Sequence, residues 1–523
     1  MRKMIPPLPD NSWARAEKGL ASDWLTLRDR AIFRELANVM LANWTPGPVK
    51  VAEFSSSGFP LHTRQAEAKI AAYREAIPHL EEIVSLASSR NLLDLYRRHK
   101  LLVCYRMQVR KQADSFKLDK ASGKYKAKHR EFPNLEFALT NGERGNIIPA
   151  DRTCEWNDQL VLARLRTVYG LSNTVNLLIA SCFEGHNVSL FKRFPDTFKH
   201  RGASDIARKL NRWRYHVAAD VGNHDFLVPK FVMRLGFDAL REIWDDRVVD
   251  FIELAWQAPC YVPNLNVYEE PDPFWLGHPL NPQDFNHWYG IPSGHFLVSW
   301  AGKFGCMGVY LCKLDRIGVD VLGHVEEILS FKHPQVGILN LGDDSVVCFN
   351  DPSLHARYSS ELDEQHYYAT GVEPLSFLGN AIFKDRPEDQ NVRVCNNPVS
   401  YLTNRLVAER ALGSWFKEYW VIGHYAREQV YSTMPCYGQL RESFERAFRD
   451  EMGYDFEHAV NSHPDAKMSV EAQSEADLLT LASPDRLQYR FELSDVSDEI
   501  ASKFVKKIDP DEYLDYVTPL MKG

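Results

Sequence analysis

The stretch GILNLGDDSVVCFN, residues 337–350, decides how this chain folds. Apolar residues run on both sides of Gly342, Asp343 and Asp344, a pattern that predicts a strand, a two-residue acidic turn and a second strand. Two adjacent carboxylates at a hairpin tip repel each other, and burying them without a cation is costly. A pair of divalent ions removes that cost and keeps both acids ionised. The tripeptide by itself is a weak signal, because Asp-rich turns are common.

Upstream, YHVAADV (Tyr215–Val221) predicts a buried strand with Asp220 near its end. Placed beside the hairpin, that strand would bring three carboxylates together. Two-metal phosphoryl transfer needs such a set: one ion lowers the pKa of an attacking hydroxyl, and the other, about 3.5–4 Å away, steadies the departing group. Asp225 has two readings. It can accept a hydrogen bond from a ribose 2′-hydroxyl, or it can cap the helix expected over residues 226–243. Between these segments, Pro292, Ser293 and Gly294 form a turn before a long apolar helical stretch ending near Leu314. An Asp-ending strand, a Ser-Gly turn with a helix and a Gly-Asp-Asp hairpin follow the A, B, C motif order of palm-domain polymerases.

Working outward, residues 23–43, 64–88 and 91–100 predict helices, and 101–109 a strand. Residues 118–128 predict a charged hairpin turning at Ser122-Gly123, and helices dominate after Thr403. The class is therefore α+β, and 523 residues imply several domains or one multi-lobed enzyme. A net charge of −8 is unlike a protein that binds polyanions over its whole surface. Local charge answers this: 12 Lys and Arg fall between Arg97 and Arg130, and eight between Lys192 and Arg214. Each run is either the lining of a tunnel or an ordinary solvated face. The nine cysteines include no C-x-x-C pair, and no Cys/His spacing suits zinc, so packing thiols are expected. The amino-terminal segment has no secretory pattern, and no run approaches the ~18 apolar residues of a membrane span.

AADVGNHD (218–225) resembles motif A in the polymerases of cystoviruses, the double-stranded RNA bacteriophages with an enveloped virion. SGHFLVSWAGKFG (293–305) occupies the place of their motif B. FLG (377–379), preceded by Glu373, resembles the palm strand after motif C, and LQYRFELSDVS (487–497) resembles the C-terminal segment. The similarity runs from Pro46 to the end of the chain. It implies an RNA-directed RNA polymerase whose catalytic metal ligands are Asp220, Asp343 and Asp344, holding two Mg²⁺. By the same resemblance, Glu373 would hold an additional Mn²⁺. Lys128 and Arg130 (K-x-R) and Arg164 and Arg166 (R-x-R-T) would contact the phosphates of the incoming nucleotide. Arg suits bidentate phosphate contact, and cations there stabilise charge growing on the leaving group. Tyr489, supported by Gln488, would be a platform on which the first nucleotides stack, a contact worth about 1–3 kcal/mol per base. Motif B lacks the Asn of many palm polymerases, leaving Ser293 or Ser299 to serve the ribose.

The architecture implied is a closed right hand with an encircled active site and a C-terminal priming subdomain. Expected boundaries are an N-terminal extension (1–45), fingers (46–172), palm with motif A (173–227), a fingers insertion (228–292), palm with motifs B and C (293–400), thumb (401–459) and priming subdomain (460–523). Expected partners are template and product RNA, NTPs and viral inner-capsid proteins, with no membrane. The polymerase itself would be monomeric, located in the virion core and the infected host's cytoplasm, replicating and transcribing a dsRNA genome from de novo starts. Three rivals share parts of this pattern. A reverse transcriptase usually carries Tyr-x-Asp-Asp, which Asn340–Asp344 does not match; the others are a metal-dependent phosphohydrolase and an inactive RNA-binding capsid component.

Overall fold

Leu339 and Val346 are buried on one face of a β-sheet, and Ile338 and Val347 on the other. Strands covered on both faces must be apolar almost throughout, which is why the stretch around the acidic turn lacks a simple alternation. The structure, a computed structural model, describes residues 26–42, 50–52, 63–101, 105–111, 165–171, 173–200, 202–221, 230–256, 260–261, 295–360, 370–372, 375–384, 391–396, 437–453, 490–492 and 494–506.

In chain order the first elements are α1 (Leu27–Leu41), β1 (Lys50–Ala52), α2 (Thr63–Ala76), α3 (Leu80–Ser88), α4 (Leu92–His99), β2 (Tyr105–Lys111) and β3 (Leu165–Gly170). Helices α5 (Asn173–Arg193), α6 (Pro195–Phe198) and α7 (Ala203–Leu210) lead into β4 (Tyr215–Val221). Next come α8 (Lys230–Arg241), α9 (Asp246–Trp256), β5 (Cys260–Tyr261), α10 (Val298–Arg316) and α11 (Val325–Leu329). The hairpin β6 (Val336–Leu341) and β7 (Asp344–Phe349) precedes α12 (Pro352–Ser360), β8 (Thr370–Val372), β9 (Ser376–Phe377), β10 (Asn380–Phe383) and β11 (Arg393–Asn396). Last are α13 (Tyr437–Met452), β12 (Arg490–Glu492) and α14 (Ser494–Phe504).

The central sheet has the order β6-β7-β4-β8, every pair antiparallel. One face, with Val217, Ala219, Ile338 and Val347, packs into a large helical core. The other, with Leu339, Val346 and Cys348, packs on α7 and the small sheet β11-β10-β9 through Ile206, Leu210, Phe377 and Ile382. Under the sheet, α10 is buried nearly all round, as a helix with no polar face must be. It crosses α1 where Gly308 leaves room for the ring of Phe33. A two-stranded sheet pairs Lys50 with Glu492, joining the N-terminal part of the chain to the segment near its C-terminus. No helix among the described residues is long and apolar enough to cross a membrane.

Two expectations are corrected. Residues 64–88 are not one helix: α2 ends at Ala76, a 3₁₀ turn covers Ile77–His79, and α3 begins at Leu80. Pro78 has no amide hydrogen and clashes with the preceding turn, so it interrupts the ladder. The basic run from Lys192 to Arg214 also has structural work. Arg193 pairs with Glu326 at 2.7 Å, Arg212 with Asp196 at 2.8 Å, and Lys209 with Asp205 at 3.1 Å. Lys209 is 1% exposed and cannot line a channel. Of the described cysteines, Cys182, Cys306, Cys312 and Cys348 are buried free thiols, as expected of packing residues, and Cys395 is partly buried.

Among the described residues five histidines are buried: His186, His200, His216, His295 and His333. Burial pulls the pKa of His186, His200 and His295 down to about 3, and that of His216 to about 4. For His200 the Lys209 ammonium adds to the effect. Between these values and the ordinary 6.5, the unfolded chain binds more protons than the folded one. Stability is therefore complete above pH 6.5 and is lost as pH falls below it, by about 1.4 kcal/mol per unit for each such group. The urea midpoint is expected to be clearly lower at pH 5.5 than at pH 7.5; an unchanged midpoint would contradict the burial of these rings.

Candidate active site

β4 and β7 pair from Tyr215↔Phe349 to Ala219↔Ser345. One residue further, the same register sets Asp220 level with Asp344. On its other side Asp220 pairs with Gly371 of β8. The β6–β7 ladder closes at Leu341↔Asp344, so Gly342 and Asp343 form a two-residue loop. Gly342 takes φ 71° and Asp343 is not among the positive-φ residues, which is the type II′ pattern. Folding thus brings the three acidic positions to one end of two neighbouring strands. Asp343 is exposed at the tip and Asp344 is partly buried.

Three contacts hold this arrangement. The hydroxyl of Tyr310, from α10, lies 3.3 Å from the carbonyl oxygens of both Ala219 and Asp343. One fully buried side chain therefore ties the residue before Asp220 to the turn. Beneath the hairpin, Asn340 donates from Nδ2 to the Gly342 carbonyl and to Ser345 Oγ, both at 2.8 Å. Asn340 and Ser345 are directly opposed in the ladder and fully buried. On the opposite face, the backbone N–H of Leu378 donates to Asp344 Oδ2 at 2.6 Å. Leu378 and Gly379 are the loop of the β9–β10 hairpin, with φ 52° and 70°, the type I′ pattern. A leucine pays a steric cost in the left-handed region, and here that conformation presents an amide to an acidic side chain.

A buried chain of polar groups continues from the hairpin. His200 Nε2 lies 3.2 Å from the Asn340 carbonyl, which can only accept, so Nε2 carries the proton. Nδ1 then accepts from the Lys209 ammonium at 3.4 Å. Lys209 also donates to the carbonyls of Pro195 and Lys199. The chain links the acidic turn to the Asp205–Lys209 pair on α7.

The other expected site residues fare differently. Ser299 is exposed on α10, and its hydroxyl accepts from Lys303 Nζ at 2.6 Å. Arg166 lies on β3, paired with Arg110 of β2. Asp225, Glu373, Lys128, Arg130, Arg164, Ser293, Gln488 and Tyr489 lie outside the described residues. Sequence reasoning missed Tyr310, Asn340 and Leu378. Asn340 carried a usable signal, since a polar residue in a strand buried on both faces must find partners. Tyr310 and Leu378 carried none, because each meets its partner only through the fold, Tyr310 by its hydroxyl to two backbone carbonyls and Leu378 by its backbone amide.

No protein-family model matches the sequence. Among solved structures, the chain is similar to the RNA-dependent RNA polymerase from bacteriophage phi12, with TM-score 0.68 and 18% identity over 99% of this chain and 82% of that one. A second likeness, to the Sicinivirus 3Dpol RNA dependent RNA polymerase, has TM-score 0.32 and 14% identity over 68% of this chain and 74% of that one, too low to indicate a shared fold. The first likeness gives this α+β chain a right-hand polymerase fold.

Proposed function

We propose that this chain is an RNA-directed RNA polymerase that joins ribonucleotides at a divalent-metal centre formed by Asp220, Asp343 and Asp344. The observation that carries the reading is the β4–β7 register, which levels Asp220 with Asp344 one residue from the exposed Asp343. Directly opposed positions of an antiparallel pair share a face. An all-carboxylate set suits hard cations such as Mg²⁺ or Mn²⁺. Two such ions, when bound, activate the 3′-hydroxyl and neutralise charge on the triphosphate.

The reaction forms a bond from the 3′-oxygen of the growing RNA to the α-phosphorus of an NTP and breaks the bond to pyrophosphate. The residues of this chain supply position. Tyr310 and Asn340 hold the turn, and the Leu378 amide orients the Asp344 carboxylate. In this reading Lys128, Arg130, Arg164 and Arg166 receive the triphosphate, and Asp225 with Ser293 or Ser299 meets the ribose. Glu373 would hold an additional Mn²⁺, and Tyr489, backed by Gln488, would stack the first nucleotides. The fingers, palm, thumb and priming boundaries read from the sequence belong to this proposal. The enzyme would replicate and transcribe a dsRNA genome within a viral inner capsid.

Tyr310→Phe tests the positioning role. It removes the hydroxyl shared by Ala219 and Asp343, at a cost of about 1 kcal/mol in stability. Turnover is expected to fall more, on the order of 10²-fold, because small displacements of reacting groups are costly. Denaturation and single-nucleotide incorporation measure the two effects; wild-type turnover would remove Tyr310 from the account.

The function is tested by incubating the chain with single-stranded RNA, four NTPs and Mg²⁺ or Mn²⁺, without primer. Full-length complementary RNA is expected, and dNTPs should not replace NTPs. Product only with a primer would remove de novo initiation. Phosphate release or RNA cleavage without a template would replace the polymerase reading with hydrolysis.

A further inference from the structure

Away from the palm, three metal-ligating side chains converge: His79, Glu82 and His99, each offering a ligand atom within 4.8 Å of the others. His79 ends the 3₁₀ turn set by Pro78, and Glu82 lies in the first turn of α3, three residues on and therefore on the same side. His99 is the last residue of α4. Its position is set by the helix end, where Lys100 takes φ 51° and the Leu101 amide donates to the Leu95 carbonyl. An α3–α4 hairpin places the start of one helix beside the end of the other.

The details suit a cation. The His99 side chain is 8% exposed, and its Nε2 is buried without a hydrogen-bond partner among the described residues. That nitrogen lies 3.4 Å from Glu82 Oε2. Two ligands on a tetrahedral zinc ion lie about 3.4 Å apart, given bonds of about 2.0–2.1 Å. Glu82 Oε1 is already engaged, accepting from Arg98 at 2.8 Å. Such a contact fixes a ligating carboxylate and directs its second oxygen at the ion. The His79 ring is 5.2 Å from that of His99 and exposed, so a small side-chain rotation completes the set.

We propose that His79, Glu82 and His99 form a binding site for a divalent transition ion, Zn²⁺ by its donor chemistry, that fastens the start of α3 to the end of α4. Two imidazoles and one carboxylate select Zn²⁺ over Mg²⁺ or Ca²⁺, which prefer oxygen. Three protein ligands leave a position for water. The site is independent of the polymerase reading. Its third ligand, His99, stands at the start of the cation-rich stretch from Arg97 to Arg130, whose base the site would hold.

The test uses the full chain, stripped with a chelator and titrated with Zn²⁺ in excess Mg²⁺, with metal content and thermal unfolding as readouts. One Zn²⁺ per chain and a raised melting temperature are expected for the wild type and for Asp343→Asn. Both effects should be lost in His79→Ala, whose exposed side chain makes misfolding no explanation, and in Glu82→Gln. No zinc uptake by the wild type, uptake surviving in both variants, or zinc lost only in Asp343→Asn would overturn the proposal.

Discussion

Asp343→Asn is expected to leave the chain folded and to lower nucleotide incorporation by about 10³-fold or more, some 4 kcal/mol of transition-state stabilisation. The side chain is exposed at a two-residue turn, and the contact to Tyr310 uses its backbone carbonyl. Asparagine fits the same turn position and keeps that carbonyl. Exposed substitutions without such contacts change stability by about 0.5 kcal/mol or less. The substitution removes a negative charge from a set of acids that repel one another, so melting should shift little, or upward. Asp344→Asn is a less clean probe, because the Asp344 carboxylate also accepts from the Leu378 amide. Primer extension with labelled NTPs and thermal unfolding measure the two sides. Activity within tenfold of wild type would deny Asp343 a place in the chemistry.

The second large effect is on folding. Gly308→Ala is expected to destabilise the chain by about 2–3 kcal/mol, although alanine is the better helix former by about 1 kcal/mol. A Cβ at Gly308 would overlap the Phe33 ring at Cε1 and Cζ. The ring cannot retreat: it is fully buried and packs edge-on against Phe304, which stacks on Trp300. Either α1 moves away from α10 or the ring leaves its pocket. Because α10 also carries Tyr310, the displacement would reach the acidic turn. Phe33→Leu in the same chain should recover part of the loss, giving a coupling measurable by a double-mutant cycle. A Gly308→Ala chain as stable as the wild type would show that this crossing is looser than described.

Much of the central sheet was legible because its signals are local. The Tyr215–Val221 strand, the hairpin around Gly342-Asp343 and the long helix ending at Arg316 each follow from apolar runs closed by turn residues. The break at Pro78 was equally local and was outweighed by the apolar spacing on either side of it. The clamps on the acidic turn were not legible. Tyr310 and Leu378 act on atoms that are distant in sequence, and no residue pattern encodes a hydroxyl shared by two carbonyls. The His79–Glu82–His99 cluster escaped for the same reason, since His99 reaches the other two only through the reversal between α3 and α4. The basic run from Lys192 showed the converse. Its composition left a tunnel lining and a solvated face both open, yet Lys209 is buried against Asp205 and His200.

The most direct measurement is the anomalous diffraction of a crystal of this chain soaked in Mn²⁺ with an NTP. The account predicts two peaks about 3.5–4 Å apart, lying between the end of β4 at Asp220 and the Asp343–Asp344 turn, with the triphosphate against them. Ordered nucleotide with no manganese between these strands, or manganese bound only elsewhere, would contradict it.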